Sequence, residues 1–334
     1  MKIVYLLASS MISGGGKVIL QQADELARRG HAVTVVGPEE APGWYFLRHA
    51  RYERSPFASS ERLREADVAV ATFWTTIEPA AAAASGALFH LCQGLETDSA
   101  FYSAQREAIE DAYRLIPRKI VVSPHLREFL DRLGYSDVQD VGQSFEPEEF
   151  RGAARGEPSG PLKILLPGIF EIDIKGVREA LEALRGLRDQ GSPFRLVRVS
   201  PEPMSEGEGQ WRIVDDYHRA LPPRRMPALL ADADIFLGPN HEKEGFGLPT
   251  LEALAAGLPA ALSDTPSHRS IAGASAIFFP PRDVAGIRLA ISRLLGDPEL
   301  RRRLSEEGPA RAARFRTVDV GDRLEEAFRR AVDV

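Results

Sequence analysis

Short apolar runs alternate with amphipathic stretches from the first residues of the chain. Ile3–Leu7 is apolar, and a polar, glycine-rich stretch at residues 13–16 follows it. Val18–Arg29 then repeats apolar residues at the spacing of one helical face, and Gly30 stands where glycine commonly ends a helix. His31–Val36 is a second apolar run, so the pattern predicts a βαβ opening.

The same alternation restarts after a polar stretch with Pro and Gly at residues 146–160, which we interpret as a linker. It predicts an N-terminal domain over residues 1–155 and a C-terminal domain over residues 156–334, whose last helix could return to the first domain. Further strands are predicted at Val68–Ala71, Ala87–Leu91, Lys119–Ser123, Leu162–Leu166, Phe194–Val199, Asp234–Leu237 and Ala260–Ser263. Further helices are predicted at Leu126–Leu133, Val177–Gln190 and Met226–Ala231, and in the tail after Asp283, where Leu289 is one apolar anchor.

Strands that alternate with helices in two domains predict an α/β protein with two parallel sheets facing each other across a cleft. Ligands of such sheets bind outside the carboxyl ends of the strands. Both glycine-rich stretches, residues 13–16 and 244–247, follow predicted strands. We therefore expect both stretches at ligand-binding edges.

Composition and charge narrow the class of protein. The chain has 334 residues, of which 44% are hydrophobic and 27% charged, as in globular proteins. The net charge of -6 disfavours nucleic acid as a partner, and the single Cys92 excludes an internal disulfide framework. The N-terminus MKIVYLLAS lacks a signal-peptide cleavage pattern, and no apolar run reaches the ~18 residues that span a membrane. We therefore expect a cytoplasmic protein.

The glycine run near the N-terminus is a candidate anion site. It predicts a turn ahead of a helix that begins near Lys17. Because glycine lets the backbone approach a ligand and a helix N-terminus offers free N–H groups, Gly14, Gly15 and Gly16 are expected to contact phosphate or sugar. A plain tight turn is the alternative. The dinucleotide pattern G-x-G-x-x-G is not met, since Ile19 takes the place of the third glycine, and this disfavours NAD.

Two glutamates, Glu244 and Glu252, bracket a second glycine-rich run. An ionised carboxylate only accepts hydrogen bonds, so it suits sugar or ribose hydroxyls. Pro249 fits the first turn of a helix and places Glu252 in that turn. Compensation of the helix dipole by Glu252 and a solvated loop charge at Glu244 are the alternatives. The pair predicts a polyol site together with the residues between them: Gly245, Phe246, Gly247 and Leu248.

Lys175 follows the first strand of the second domain and opens a helix, so it can neutralise a diphosphate. A surface lysine in a turn is the alternative. Asp232 and Asp234 match the D-x-D pattern of metal-dependent sugar transferases, but they lie where a helix gives way to a strand, and we assign them to that boundary. The seven histidines show no H-E-x-x-H spacing. We therefore expect no metal site.

Two residues of the first domain are candidates for contact with a second substrate. His90 lies near the end of a predicted strand, and Trp74 belongs to an aromatic pair in ATFWTT. Aromatic faces bind sugars, but aromatic residues are more often part of a core. A buried structural histidine is an equally good interpretation of His90.

Several stretches together resemble one family. EKEGFGLPTLEALAAGLP resembles the E-x7-E signature of retaining glycosyltransferases of family 4, also called glycosyl transferase group 1, which have the GT-B fold of two Rossmann-like domains. SGGGKVILQQADELARRGHAVTVV resembles their first glycine loop and helix, KILLPGIFEIDIKG their donor-diphosphate loop, and ADADIFLGPN the strand before the signature. The resemblance covers most of the chain. It implies retaining transfer of a sugar from a nucleoside-diphosphate sugar to an acceptor.

The resemblance also implies roles for single residues. Glu244 would contact the donor sugar and Lys175 the leaving diphosphate as the catalytic residues, and Glu252 would bind the ribose. The loop of Gly14, Gly15 and Gly16 would approach the donor phosphates, while Trp74 and His90 would lie on the acceptor side. No cofactor is implied beyond the nucleotide sugar as co-substrate. The acceptor stays open among a sugar, a lipid-linked sugar and a small molecule, and peripheral membrane contact is compatible with it.

Three stretches depart from the family pattern. Gly168-Ile169-Phe170 stands where the family usually carries an arginine, and no cation occurs between Ile164 and Lys175. ATFWTT lacks a histidine often found after the fourth strand, and PSHRS replaces a stretch that often carries a glutamate. The missing arginine favours an alternative, an inactive nucleotide-sugar-binding module. A GT-B nucleotide-sugar epimerase is a second alternative, and an NAD enzyme a more distant one.

Overall fold

The structure, a computed structural model, describes residues 1–94, 96–98, 100–151, 160–242 and 245–332. The chain divides into two compact units: the N-terminal unit, Met1–Phe145 with Phe315–Val334, and the C-terminal unit, Glu146–Arg314. The predicted boundary between residues 155 and 156 lies outside the described residues. The last helix belongs to the N-terminal unit.

The N-terminal unit contains a seven-stranded parallel sheet in the order β3-β2-β1-β4-β5-β6-β7. Its strands are β1 (Lys2–Leu6), β2 (Ala32–Gly37), β3 (Arg51–Arg54), β4 (Val68–Ala71), β5 (Ala87–Cys92), β6 (Lys119–Val121) and β7 (Val138–Asp140). Its helices are α1 (Gly14–Arg28), α2 (Glu61–Arg64), α3 (Trp74–Ala83), α4 (Arg106–Leu115), α5 (Pro124–Arg132) and the last helix of the chain, α13 (Thr317–Val332).

The C-terminal unit contains a six-stranded parallel sheet in the order β10-β9-β8-β11-β12-β13. Its strands are β8 (Leu162–Pro167), β9 (Phe194–Ser200), β10 (Asp216–Arg219), β11 (Ile235–Gly238), β12 (Ala260–Ser263) and β13 (Ile277–Phe279). Its helices are α6 (Val177–Asp189), α7 (Glu206–Gly209), α8 (Met226–Asp232), α9 (Leu248–Ala255), α10 (Pro266–Ala272), α11 (Val284–Gly296) and α12 (Pro298–Ala312).

Burial explains why the apolar runs form strands. All four residues of β4 and of β12 are buried, as expected for central strands covered on both faces. The helices bury one face each; α6 packs Ala180, Leu184 and Leu187 into the core of the C-terminal unit. Both units are thus Rossmann-like, and the predicted α/β class with two parallel sheets is confirmed.

The structure corrects two details of the predicted elements. The three glycines at residues 14–16 form the first turn of α1, which therefore begins before Lys17. Leu289, predicted as an apolar anchor, is 66% exposed on α11, whose buried side carries Ile287, Ile291 and Leu294 instead. Among the described residues, no helix has the length and apolarity needed to cross a bilayer.

Candidate functional site

The best-defined candidate site lies in the C-terminal unit, where the strand order reverses. β8 pairs with β9 on one side and with β11 on the other, so the loops after β8 and β11 leave the same carboxyl edge side by side. Ligands of doubly wound sheets bind at such a switch point. These are the two loops that carry Lys175 and the glycines at residues 245–247.

The loop after β8 presents Lys175 from a single 3-10 turn. Asp173–Lys175 form that turn, and Gly176 follows with φ 63° as the residue that caps α6. The stem of the half-buried Lys175 packs over Gly168, where an added Cβ would lie 3.2 Å from the Lys175 Cβ. The lysine is therefore held by the turn and by the glycine beneath it.

Backbone contacts join the two loops. The His241 N–H donates to the Ile174 carbonyl at 2.8 Å. Gly176 lies so close to the following loop that an added Cβ would stand 2.1 Å from the Pro239 carbonyl oxygen. The absence of a side chain at Gly176 thus lets the lysine turn and the loop after β11 interlock.

A buried arginine that the sequence analysis did not single out braces the start of the lysine loop. Arg198 in β9 is 0% exposed; its guanidinium donates to the Leu166 carbonyl and, at 2.7 Å, to the Gly168 carbonyl. Its Nε donates to the buried Glu208 carboxylate at 2.6 Å. The signal in the sequence was the charged Arg198 between the apolar Val197 and Val199 of this strand.

The loop after β11 leads into α9 through Gly247. This glycine has φ 99° and caps the helix, and its carbonyl accepts from the Thr250 N–H at 3.0 Å. Phe246 is 6% exposed, so its ring belongs to the support of the loop. Glu244 lies outside the described residues. Among the described residues of this segment, Gly245–Gly247 are buried, and exposure begins at Leu248 and Pro249 in the first turn of α9.

Glu252 does not lie in the first turn of α9, in contrast to the sequence prediction. The helix begins at Leu248, and its first turn contains no acidic residue. Glu252 is only 8% exposed. A buried carboxylate beyond the first turn gains little from the helix dipole, so dipole compensation does not explain it.

Helix α10, which contains PSHRS, packs against the loop that carries Gly245–Gly247. The Ser267 hydroxyl donates to the Phe246 carbonyl, and an added Cβ on Gly247 would lie 3.8 Å from the His268 Nε2. The buried His268 ring is oriented at Nδ1 by Ser263, whose carbonyl is 2.9 Å away and whose hydroxyl is 3.0 Å away. The sequence analysis noted this stretch only for a missing glutamate.

The glycine run of the N-terminal unit follows β1, at the corresponding reversal between β1 and β4. The Ser13 hydroxyl caps α1 by accepting from the Gly16 N–H at 3.0 Å. The Gln93 side chain donates to the Gly15 carbonyl at 3.2 Å, and an added Cβ on Gly16 would lie 3.5 Å from the Trp44 ring. Close packing therefore explains part of the need for glycine here, and the helix N-terminus offers its N–H groups at the strand edge.

The two acceptor-side candidates differ in exposure. Trp74 is the first residue of α3, is partly exposed, and has its ring centroid 6.1 Å from that of Phe73. His90 is 0% exposed in β5; its Nδ1 lies 3.3 Å from the Lys119 Nζ and its ring packs edge-on to Tyr113. Burial, with a smaller effect of the Lys119 charge, holds the pKa of His90 well below its usual range. His90 thus lies in the interior, as the structural alternative predicted.

The D-x-D aspartates lie at the opposite edge of the C-terminal sheet. Asp232 pairs with the Lys163 ammonium at 2.6 Å, and the Asp234 carboxylate accepts from the Lys163 N–H at 2.8 Å. Lys163 stands near the start of β8, so this group lies at the amino edge of the strands. The group of Lys163, Asp232 and Asp234 and the loop of Lys175 therefore lie at opposite ends of β8.

Comparison with known proteins agrees with this geometry. Residues 149–311 match the family model described as "Glycosyl transferases group 1". The chain is 33% identical over 196 residues to a glycogen synthase of Mycobacterium tuberculosis, covering 55% of this chain and 44% of the relative. It is 30% identical over 190 residues to a GDP-mannose-dependent alpha-(1-6)-phosphatidylinositol dimannoside mannosyltransferase of the same species, covering 53% and 49%. The match therefore spans about half the length of these curated relatives.

Solved structures share the whole fold at low identity. Sucrose-phosphate synthase from Thermosynechococcus elongatus superposes with a TM-score of 0.79 at 18% identity, covering 98% of each chain. Anabaena Alr3699/HepE in complex with UDP-glucose gives 0.79 at 15% identity, covering 97% of this chain and 98% of that one. The chain therefore has the GT-B fold of these structures, and its residues 149–311 are similar to the glycosyl transferases group 1 model.

Proposed function

We propose that this protein transfers a sugar from a nucleoside-diphosphate sugar to an acceptor, with retention of configuration. The observation that carries the proposal is the junction of two loops at the switch point of a group 1 domain, with Lys175 on one loop and α9 following the other. HepE, which shares the fold, is known in complex with UDP and with UDP-glucose. A nucleoside-diphosphate sugar fits both the cation and the helix N-terminus.

The proposed roles divide the donor between its charged and its hydroxyl groups. The Lys175 ammonium and the N–H groups at the start of α9 would stabilise the diphosphate as it leaves, because charge grows there while the glycosidic bond breaks. Glu252 would accept hydrogen bonds from the ribose hydroxyls, and Glu244 from those of the sugar. The N–H groups of Gly14 and Gly15 would serve the donor phosphates, whereas that of Gly16 already donates to the Ser13 hydroxyl.

A specific observation favours a second candidate function. Ile169 occupies about the place where an arginine is expected, so Lys175 is the first cation after Ile164. A weaker charge at this point would suit a module that binds a nucleotide sugar without transferring it. A nucleotide-sugar epimerase on the same fold would also need no acceptor. The reaction products distinguish the transferase, the binding module and the epimerase, because they are a glycosylated acceptor, no product and an altered sugar, respectively.

The experiment begins with thermal shifts in the presence of UDP, GDP, ADP and dTDP and of their sugars. A ligand at about 100 times its Kd should add ~2.7 kcal/mol to the free energy of unfolding. The donor identified in this way is then incubated with sugars, lipid-linked sugars and small-molecule acceptors, and the anomeric configuration of each product is determined by NMR. A product with the donor's configuration supports the proposal.

Three results would contradict it. Inversion at the anomeric carbon would reject the retaining mechanism. Tight donor binding without turnover over the acceptor panel would support the binding module. An altered free sugar formed without any acceptor would support the epimerase.

A further inference from the structure

Three side chains of types that can ligate a metal meet where the two loops of the candidate site approach the start of α6. This cluster consists of Asp173 in the 3-10 turn after β8, Glu179 in the first turn of α6, and His241 in the loop after β11. One ligand atom from each of the three lies within 4.8 Å of the others. Three separate segments thus converge on one point within the C-terminal unit.

The His241 ring is the least accessible member of this cluster. It is 1% exposed, and within the described part of the chain neither ring nitrogen makes a hydrogen bond. Buried polar atoms are nearly always hydrogen-bonded, so two ring nitrogens without a hydrogen bond require an explanation. Carboxylate oxygens are nevertheless close: Glu179 Oε1 lies 3.3 Å from Nε2, and Asp173 Oδ2 lies 3.5 Å from Nδ1.

The nitrogen–oxygen distances of 3.3 and 3.5 Å, without the alignment of a hydrogen bond, are those expected of atoms that share a metal ion. Two ligand atoms that share a tetrahedral Zn²⁺ at bond lengths of ~2.0–2.1 Å lie roughly 3.3–3.4 Å apart, and both lone pairs aim at the ion rather than at each other. The separation of Nε2 from the Glu179 oxygen has this value. A nitrogen and two carboxylate oxygens are also a ligand set that zinc-like ions accept.

The local charge favours an additional cation. Arg282 donates to the Asp173 carboxylate at 2.7 Å and lies 3.9 Å from Glu179. Two carboxylates, those of Asp173 and Glu179, thus lie within ion-pair distance of one guanidinium.

We propose that Asp173, Glu179 and His241 form a binding site for a divalent transition-metal ion of the Zn²⁺ type. His241 supplies Nε2, the two carboxylates supply oxygens, and water completes the coordination. The ion competes with Arg282 for Asp173, so Arg282 neutralises this carboxylate whenever the ion is absent. The bound ion ties together the loop after β8, the start of α6 and the loop after β11.

The test measures ion binding directly and does not depend on the proposed transferase activity. The full chain is stripped with a chelator, dialysed, and titrated with Zn²⁺ against a chromophoric competitor. Co²⁺ is then added as a spectroscopic probe, because its visible absorption reports coordination number and imidazole ligation. We expect one tightly bound ion per chain, a rise in the melting temperature on Zn²⁺ addition, and a low-coordinate Co²⁺ spectrum.

Variants assign the ion to the cluster. His241→Ala and Glu179→Gln should each weaken Zn²⁺ binding by more than the roughly 10–100-fold that loss of an outer-shell partner costs. Arg282→Ala should tighten binding, because the competing cation is gone. His218→Ala is the matched control: it removes a half-buried histidine of β10 in the same sheet, and binding should not change.

Several outcomes would overturn the proposal. Zn²⁺ that fails to bind the wild-type chain would do so, as would binding that survives His241→Ala. Binding that weakens in Arg282→Ala would show that this arginine supports the site rather than competing for it. If His241→Ala does not fold, Glu179→Gln and Arg282→Ala decide, since they must change the affinity in opposite directions.

Discussion

At the scale of single residues, Lys175 is the side chain on which the proposed chemistry depends most. No cation precedes it in the chain between Ile164 and its own position, so in the proposed mechanism Lys175 is the cation that this loop supplies to the leaving diphosphate. Lys175→Ala should lower turnover by ~2–4 kcal/mol of transition-state stabilisation, the scale for removal of one preorganised donor. Donor affinity should fall less, because the charge grows as the bond breaks.

Steady-state kinetics with the identified donor measures both effects. Lys163→Ala is the matched control, since this lysine lies at the amino edge of the same sheet and pairs with Asp232. It should leave kcat unchanged. Near-normal turnover in Lys175→Ala would show that the diphosphate is held elsewhere. Lys175→Arg should restore little activity, because a planar guanidinium does not reproduce a compact ammonium in this tight turn.

Glu252 is a buried carboxylate of α9 with no role as a first-turn dipole residue. Glu252→Ala should weaken binding of the cognate nucleoside diphosphate by ~1.5–3 kcal/mol, the cost of losing hydrogen bonds to a charged group. That corresponds to roughly tenfold to over a hundredfold in Kd. Calorimetry gives the value directly, and Glu182→Ala on the exposed face of α6 serves as the control. Unchanged affinity in a folded Glu252→Ala protein would leave Glu252 a purely structural residue.

At the scale of elements, the position of Lys175 is set by Gly176 at the start of α6. An alanine there must adopt φ near 63°, which costs on the order of 1–3 kcal/mol, and its Cβ would also stand 2.1 Å from the Pro239 carbonyl oxygen. Gly191 offers a matched comparison at the other end of the helix, because its φ is 85° but nothing lies within 4 Å of an added Cβ. The backbone strain is thus similar, and only Gly176 adds a steric clash.

We therefore expect Gly176→Ala to destabilise the protein more than Gly191→Ala and to weaken donor binding, whereas Gly191→Ala should leave donor affinity unchanged. Urea unfolding and calorimetry measure the two effects. Equal losses of stability in both variants, with donor binding intact, would show that the junction of the loops tolerates displacement.

The sequence predicted the central elements better than the edges. β4 was predicted with its observed bounds, because a short, wholly apolar run is what a strand buried on both faces requires. Strands β3 and β10 (RYER and DYHR) were missed, since edge strands with polar, half-exposed residues carry no apolar run. The start of α1 was placed too late, because glycine has low helix propensity and the Ser13 cap and local packing outweigh it.

The site shows a similar division. Sequence motifs alone predicted Glu244, Glu252 and Lys175, since the neighbouring residues carry the signal, and these roles stay predictions. Arg198 in β9 contacts the loop after β8, and His268 in α10 lies beside the loop after β11. The sequence analysis missed both, because residue spacing does not reveal which loop a side chain from a distant segment contacts. The cluster around His241 was missed for the same reason: its members lie in three segments that meet only in the folded unit.

At the scale of the whole molecule, the distribution of carboxylates bears on whether the chemistry needs a metal ion. Asp232 and Asp234 contact Lys163 at the amino edge of the C-terminal sheet, whereas Lys175 lies at its carboxyl edge. Asp173 has Arg282 as a resident counter-ion. In the proposed mechanism, Lys175 and the N–H groups of helix starts would stabilise the leaving diphosphate, and these groups need no metal ion.

We therefore expect turnover to persist in excess EDTA. Removing a divalent ion from the cluster of Asp173, Glu179 and His241 should lower the melting temperature, because one cross-link between the loops is lost. Turnover should persist, because Arg282 then neutralises Asp173 and Lys175 keeps its position. The measurement pairs initial rates with melting curves on the same chelated sample, after metal analysis has shown that no ion remains. Asp232→Asn should likewise retain its rate, since this carboxylate only pairs with Lys163. Loss of turnover in EDTA that Mn²⁺ or Mg²⁺ restores would contradict the metal-free mechanism. If these ions restore turnover only in chains that retain His241, the required ion binds in that cluster.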